Sequence, residues 1–296
     1  MRNVDNIEVP VGELVFNARV CGSDDKDLVI FLHGFPQSSL CWDFVIDELA
    51  DEFYCVAFDQ RGYSKKARPT GSEQYRIQNV VDDVLGVAGF FTDKKFHLVG
   101  HDWGAAVTWA TAIFHPEVLS SISALSTPHP LALQNSLRSS SADQRGKSSY
   151  IQLFRQEGTA EQVLSENDYA GLKSVFELSG YNTADPVLLD HMNQYVSLLS
   201  VPGALTGALN WYRGINMNNT SEFPQSEKLQ IQVPTLYVWS DKDVALGKAA
   251  AYDSQKYVSA FYRFEVFEDV SHWIPEMAPE KLSAILSDHL NQFKNR

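Results

Sequence analysis

Apolar residues in this chain gather in short unbroken runs, and between the runs they recur every three to four positions. Leu28-Val29-Ile30-Phe31-Leu32 and Tyr54-Cys55-Val56-Ala57-Phe58 contain no polar alternation. A run of that kind predicts a strand covered on both faces, as in a parallel sheet. Phe96-His97-Leu98-Val99 and residues 121–125, 235–239 and 261–266 predict further strands. Helical spacing predicts helices over residues 42–50, 77–91 and 107–113, and a last amphipathic helix over 279–293. The alternation of the two patterns implies an α/β fold, a mostly parallel central sheet flanked by helices.

The rhythm stops after Ser126-Thr127-Pro128-His129-Pro130. From there to residue 223 the chain is polar, helix-like and broken by Gly and Pro, without a strong strand pattern. The expected organisation is a core of residues 1–128 and 224–296 carrying an inserted helical cap, residues 129–223. Neither internal repeats nor low-complexity tracts occur.

Composition narrows the partners. With 296 residues, 44% hydrophobic and 21% charged, the chain can build a large core and is not of the disordered class. Its net charge of −13 disfavours nucleic acid and anionic membrane, and leaves a neutral or apolar small molecule. The three cysteines form no CxxC pair, and an odd count argues against a disulfide framework. Cys55, inside a strand run, reads as a buried small hydrophobe. No stretch has the apolar core of a signal peptide, and none approaches the ~20 apolar residues of a membrane span. The expectation is a soluble cytoplasmic protein, with a homodimer left open. The sequence offers no metal-ligand cluster and no dinucleotide fingerprint, so neither a metal nor an organic cofactor is expected.

Candidate chemistry centres on Gly100-His101-Asp102-Trp103-Gly104, which joins the strand at 96–99 to the helix that follows. A small-x-nucleophile-x-small turn between strand and helix is a nucleophile elbow; the alternative is a turn with a helix-capping aspartate. The strained turn lifts the middle side chain, here Asp102, above the sheet. The N–H of Trp103 begins the helix and is free to hold an oxyanion. A base and an orienting acid must accompany the nucleophile. Of eight histidines, His272 lies after the strand at 261–266 and before the final helix, where the order nucleophile, acid, histidine places the base. Asp243, after the strand at 235–239, is preferred as the acid over Asp241, which shapes the turn. His33-Gly34-Phe35-Pro36 follows the strand at 28–32, and the Phe35 N–H there can supply the second oxyanion donor. His33, His115 and His289 read as structural, and His97 lies in a strand run.

These motifs, with Asp59-Gln60-Arg61-Gly62-Tyr63-Ser64, Thr127-Pro128-His129-Pro130 and Asn210-Trp211-Tyr212-Arg213, make the chain resemble the epoxide hydrolases of the α/β-hydrolase superfamily. The resemblance spreads along nearly the whole chain. It implies the α/β-hydrolase fold with a helical cap, and two cap tyrosines that point at the nucleophile. Tyr212 matches the second by its flanking residues, and Tyr150, in Ser149-Tyr150-Ile151-Gln152-Leu153-Phe154, matches the first, although the usual additional aromatic and proline are absent there.

An aspartate nucleophile directs the chemistry to saturated carbon, because its attack on an ester would give an anhydride. The leaving group is then an epoxide oxygen or a halide. An epoxide opens to a basic alkoxide that needs a proton, and a phenol of pKa about 10 is a suitable donor. A halide needs only N–H donors. The resemblance therefore implies an epoxide substrate, water as co-substrate and a vicinal diol product. Phe35, Pro36, Trp103, Phe154, Trp211 and Trp273 are the expected substrate-binding residues of an apolar, aromatic pocket. A haloalkane dehalogenase-type hydrolase is the alternative reaction, and a non-catalytic ligand-binding protein of the same fold is the alternative class.

Overall fold

The computed structural model describes residues 4–139, 142–215 and 229–294. Eight strands form one sheet: β1 Asp5–Val11, β2 Leu14–Cys21, β3 Leu28–Leu32, β4 Tyr54–Phe58, β5 Phe96–His101, β6 Leu119–Leu125, β7 Thr235–Ser240 and β8 Tyr262–Phe267. Their order across the sheet is β1-β2-β4-β3-β5-β6-β7-β8. β3 to β8 are parallel, while β1 and β2 form an antiparallel pair and β2 runs antiparallel to β4. Every residue of β3, β5 and β7 is buried, which is why these strands carry unbroken apolar runs.

Helices α1 Asp43–Leu49, α2 Ile77–Phe91 and α3 Trp103–Phe114 belong to the first part of the core. Between β6 and β7 come α4 Pro130–Arg138, α5 Ala142–Lys147, α6 Ile151–Phe154, α7 Thr159–Leu178, α8 Pro186–Ser200 and α9 Ala204–Gly214. The core resumes with α10 Lys248–Asp253, α11 Ile274–Met277 and α12 Pro279–Gln292. Alternate residues of β3 face opposite layers. Val29 and Phe31 pack in one cluster with Val45 and Ile46 of α1 and Leu282 and Leu286 of α12. Ile30 and Leu32 pack in the other with Val80 and Val84 of α2 and Val107 and Ala110 of α3.

Among the described residues, helices α4 to α9 lie between β6 and β7, after the point where the strand rhythm stops. The expected boundary at residues 223 and 224 lies outside the described residues. Helix α9 seats on the core at a glycine pair: a Cβ on Gly207 would lie 2.9 Å from the Gly62 Cα, so the two backbones nearly touch. Next to that contact the Trp211 indole N–H donates to the Arg61 carbonyl at 2.8 Å. Arg61 is itself fixed by two hydrogen bonds to the buried Asp83 carboxylate, at 2.6 and 2.7 Å. Among the described residues no helix is long and apolar enough to cross a membrane.

Candidate active site

The strand order reverses at β3, which has β4 on one side and β5 on the other. Open α/β sheets leave a crevice beyond the strand ends at such a point. Two loops meet there. After β5, Asp102 adopts φ 54° and ψ −117°, a conformation that a non-glycine residue holds only under constraint. The Thr127 hydroxyl donates to the Asp102 carbonyl at 2.8 Å and helps hold it. A side chain at Gly104 would strike the backbone of Leu32 and His33, and one at Gly34 would strike the Asp102 carboxyl. The missing side chains let the loop after β3 close over the elbow. There the Phe35 N–H donates to Asp102 Oδ1 at 2.9 Å, and the Trp103 N–H also serves this carboxylate. The Phe35–Pro36 peptide is cis.

Asp243 follows β7, and its side chain is fully buried. Its Oδ1 accepts from the N–H groups of Ala245 and Leu246 at 2.8 and 2.9 Å. Its Oδ2 accepts from His272 Nδ1 at 2.9 Å, which leaves His272 Nε2 3.6 Å from Asp102 Oδ2. Asp241 does other work: it accepts the Asp269 N–H at 2.7 Å and pairs with Lys242. Burial opposes charge on His272, but Asp243 and then Asp102 outweigh it and raise the pKa to about 10. Burial likewise opposes ionisation of Asp102 and Asp243, and the facing His272 overcomes it, so both stay below the usual carboxylate range.

The roof comes from the insertion. Tyr212 on α9 is buried, its ring edge-on to Phe35 and Trp103 at 5.4 and 5.0 Å. Tyr150, at the start of α6, is half-buried, with its ring centroid 6.2 Å from that of Tyr212. Burial, with the Asp102 charge nearby, pushes both phenols well above their ordinary pKa, so they remain protonated donors. Asp102, Tyr150 and Tyr212 line two cavities, of about 350 and about 400 Å³.

A family model described as alpha/beta hydrolase fold matches residues 27–279. Epoxide hydrolase 2 of Caenorhabditis elegans is 30% identical over 92% of this chain and 76% of its own length. The chain belongs to the epoxide hydrolases of the α/β-hydrolase superfamily. A relative from Bacillus subtilis (strain 168), the AB hydrolase superfamily protein YfhM, is 33% identical over 94% of each chain. The crystal structure of Bacillus megaterium epoxide hydrolase in complex with an inhibitor superposes with a TM-score of 0.85, at 26% identity, over 96% of this chain and 100% of that one.

Within this epoxide hydrolase fold, Phe35, Phe154 and Trp273 line the smaller cavity and Trp103 lines the larger. Trp211 and Pro36, expected at the substrate, line neither. Trp211 stands behind Trp103, ring centroids 6.0 Å apart, and its indole N–H is spent on Arg61; its place is in the cap seat. His33, as expected, is a turn residue, its Nε2 accepting the Gln60 N–H at 3.1 Å. Sequence reasoning missed Gln37, His101 and Glu276, which form a buried polar cluster behind His272. The only signal for them was proximity, since each lies within four positions of a motif residue. Among the described residues no group of three or more His, Cys, Asp or Glu side chains is arranged to hold a metal ion.

Proposed function

We propose that this protein opens an epoxide to a vicinal diol through an alkyl ester formed on Asp102. The observation that carries the reading is the division of labour within one carboxylate. The Phe35 N–H donates to Oδ1 and the Trp103 N–H also serves the carboxylate, while Oδ2 lies 3.6 Å from His272 Nε2. Oδ2 attacks a ring carbon and the C–O bond breaks. The protonated phenols of Tyr150 and Tyr212 hold the departing oxygen and supply its proton. Then His272, oriented by Asp243, takes a proton from water. The resulting hydroxide attacks the ester carbonyl carbon, and Oδ1 carries the developing charge in the hole already built for it. Collapse expels the second diol oxygen, which takes the proton of the new Asp102 carboxyl, and the proton held by His272 returns to the phenolate, so that the diol leaves and the carboxylate is restored.

The smaller cavity is walled by Phe35, Phe154, Leu164, Val175 and Trp273 and suits an apolar substituent. The larger mixes Leu133 and Leu137 with Gln144, Gln152 and Arg155 and suits a more polar one. A halide would need free indole donors. The Trp211 indole serves Arg61, and that of Trp103 lies within hydrogen-bond reach of the Tyr212 phenol, so the dehalogenase reading is the weaker. Cys21, Cys41 and Cys55 are buried and form no disulfide, which accords with the reducing cytoplasm.

The test is trapping. His272→Gln incubated with an apolar epoxide is expected to accumulate an alkyl ester on the peptide carrying Asp102, seen by mass spectrometry. The same variant carrying Tyr150→Phe and Tyr212→Phe should form none. An unmodified Asp102 in the first case overturns the covalent route, and full ester formation in the second removes the tyrosines from it.

A further inference from the structure

Behind the base lies a buried polar chain that the chemistry above does not use. Glu276, on α11, has a fully buried side chain. Its Oε1 accepts from the hydroxyls of Tyr181 and Tyr195 at 2.7 and 2.9 Å and from His191 Nδ1 at 2.8 Å, all three from the insertion. Its Oε2 meets the side-chain amide of Gln37, two positions past Phe35. The other end of that amide lies 3.2 Å from His101 Nδ1, and His101 Nε2 lies 2.8 Å from the carbonyl oxygen of His272. The two imidazole rings are 4.8 Å apart. One carboxyl thus touches both the cap and, through two side chains, the backbone of the base.

Each link of this chain needs one proton, and the count is decisive. If an ionised Glu276 accepts from the Gln37 nitrogen, the Gln37 oxygen faces His101. His101 must then donate from both ring nitrogens. Burial keeps its imidazole neutral, with a pKa lowered to about 4. A neutral His101 that donates to the His272 carbonyl instead aims a lone pair at the Gln37 oxygen. One added proton between Glu276 and Gln37 removes the conflict. The carboxyl then donates to the amide oxygen, the amide nitrogen to Nδ1, and Nε2 to the carbonyl. Oε1 still accepts from Tyr181, Tyr195 and His191. The two amide orientations place heavy atoms alike, so hydrogen-bond logic decides between them.

We propose that Glu276 is a positioning residue for the base: with Gln37 and His101 it forms a buried chain, closed by one shared proton, that fixes the His272 backbone and seats the cap on the same anchor. The inference rests on the two-step reading, with His272 serving ester hydrolysis and not ester formation. Breaking the chain should therefore slow the second step selectively. Misplacing a reacting group by about 1 Å costs up to ~100-fold.

The experiment follows ester formation and ester hydrolysis separately, by rapid quench and mass spectrometry of the Asp102 peptide. Glu276→Leu is expected to slow hydrolysis by roughly 10- to 100-fold, so that the ester accumulates at steady state, with ester formation per active site kept. Glu276→Gln can donate to Gln37 and accept from the cap at once, and should stay close to the parent. Equal slowing in the two variants overturns the shared proton. An unchanged ratio of hydrolysis to formation in both overturns the positioning role, because a purely architectural residue lowers the number of active sites and leaves the ratio alone. Should Glu276→Leu not fold, Gln37→Leu breaks the chain while keeping the three cap bonds, and the same ratio decides. Absence of any ester in His272→Gln would instead fault the two-step reading.

Discussion

His272 stands between two carboxylates, and its charge depends on both. With a pKa of about 10, it is an imidazolium at neutral pH in the resting site and cannot act as a base. In the proposed reaction, ester formation erases the Asp102 charge and with it one of the two partners that raise the pKa. The base is thus released by the first step. In an NMR titration, Asp102→Asn should bring the His272 pKa down from about 10 towards its ordinary 6.5, and ester hydrolysis should rise with pH to a midpoint below that of the resting enzyme. An unchanged His272 pKa in that variant would sink the coupling. The site residues that touch this histidine differ in how visible they were. Asp102, Asp243 and His272 each follow an apolar strand run, in the order nucleophile, acid, histidine, and that order is what singles them out in the sequence. Gln37, His101 and Glu276 join three distant positions through side-chain amide and ring contacts, and no periodicity encodes such a link.

At the scale of elements, the strands buried on both faces could be read from their unbroken runs, whereas β1 and β2 could not. Their pairing leaves one dry face, carried by Val9, Phe16, Ala18 and Val20, and puts Asn6, Glu8 and Asn17 outward, so that polar residues interrupt the pattern. Helix α7 departs in another way: the helical pattern continues, but Asn167, Asp168 and Tyr169 take positive φ and break it. The missing strand pattern between β6 and β7 was legible in the sequence, but the seat of α9 on the core was not. That seat is the contact between Gly62 and Gly207, where a Cβ on Gly207 would also lie 3.1 Å from the Tyr75 hydroxyl and the Gly62 carbonyl oxygen. Helix α9 carries Tyr212 five positions further on, so lifting the helix lifts the phenol. Gly207→Val should slow ester formation by roughly 10- to 100-fold, with the circular dichroism of the fold kept. Parent-like ester formation in this variant would show that the glycine contact does not place the tyrosine.

For the whole molecule, the buried histidines decide how it meets acid. Burial holds His97 and His129 neutral, with pKa values lowered to about 3, and His101 and His289 likewise, at about 4. A base whose folded pKa is lowered contributes stability above its unfolded value near 6.5 and loses it as pH falls towards the folded one, because only the unfolded chain binds the proton. Each such group is worth up to about 1.4 kcal/mol per pH unit in that window. Acting together, the four would remove most of an ordinary stability of roughly 5–15 kcal/mol within ~2–3 units. His272 has the opposite sign: its contribution is fully present below 6.5 and is lost as pH rises through about 10. Stability should therefore peak near neutral pH, fall gently on the alkaline side and collapse on the acid side. Denaturant unfolding at a series of pH values should show close to four protons taken up on unfolding between pH 6 and 5. His289→Gln, which can still donate to the Ile122 carbonyl as His289 Nε2 does at 3.2 Å, should reduce that uptake by about one proton. Stability that is flat from pH 7 to 5 would mean that these four imidazoles are protonated in the folded chain as readily as in the unfolded one, and the polar layers around them would then have to be open to water.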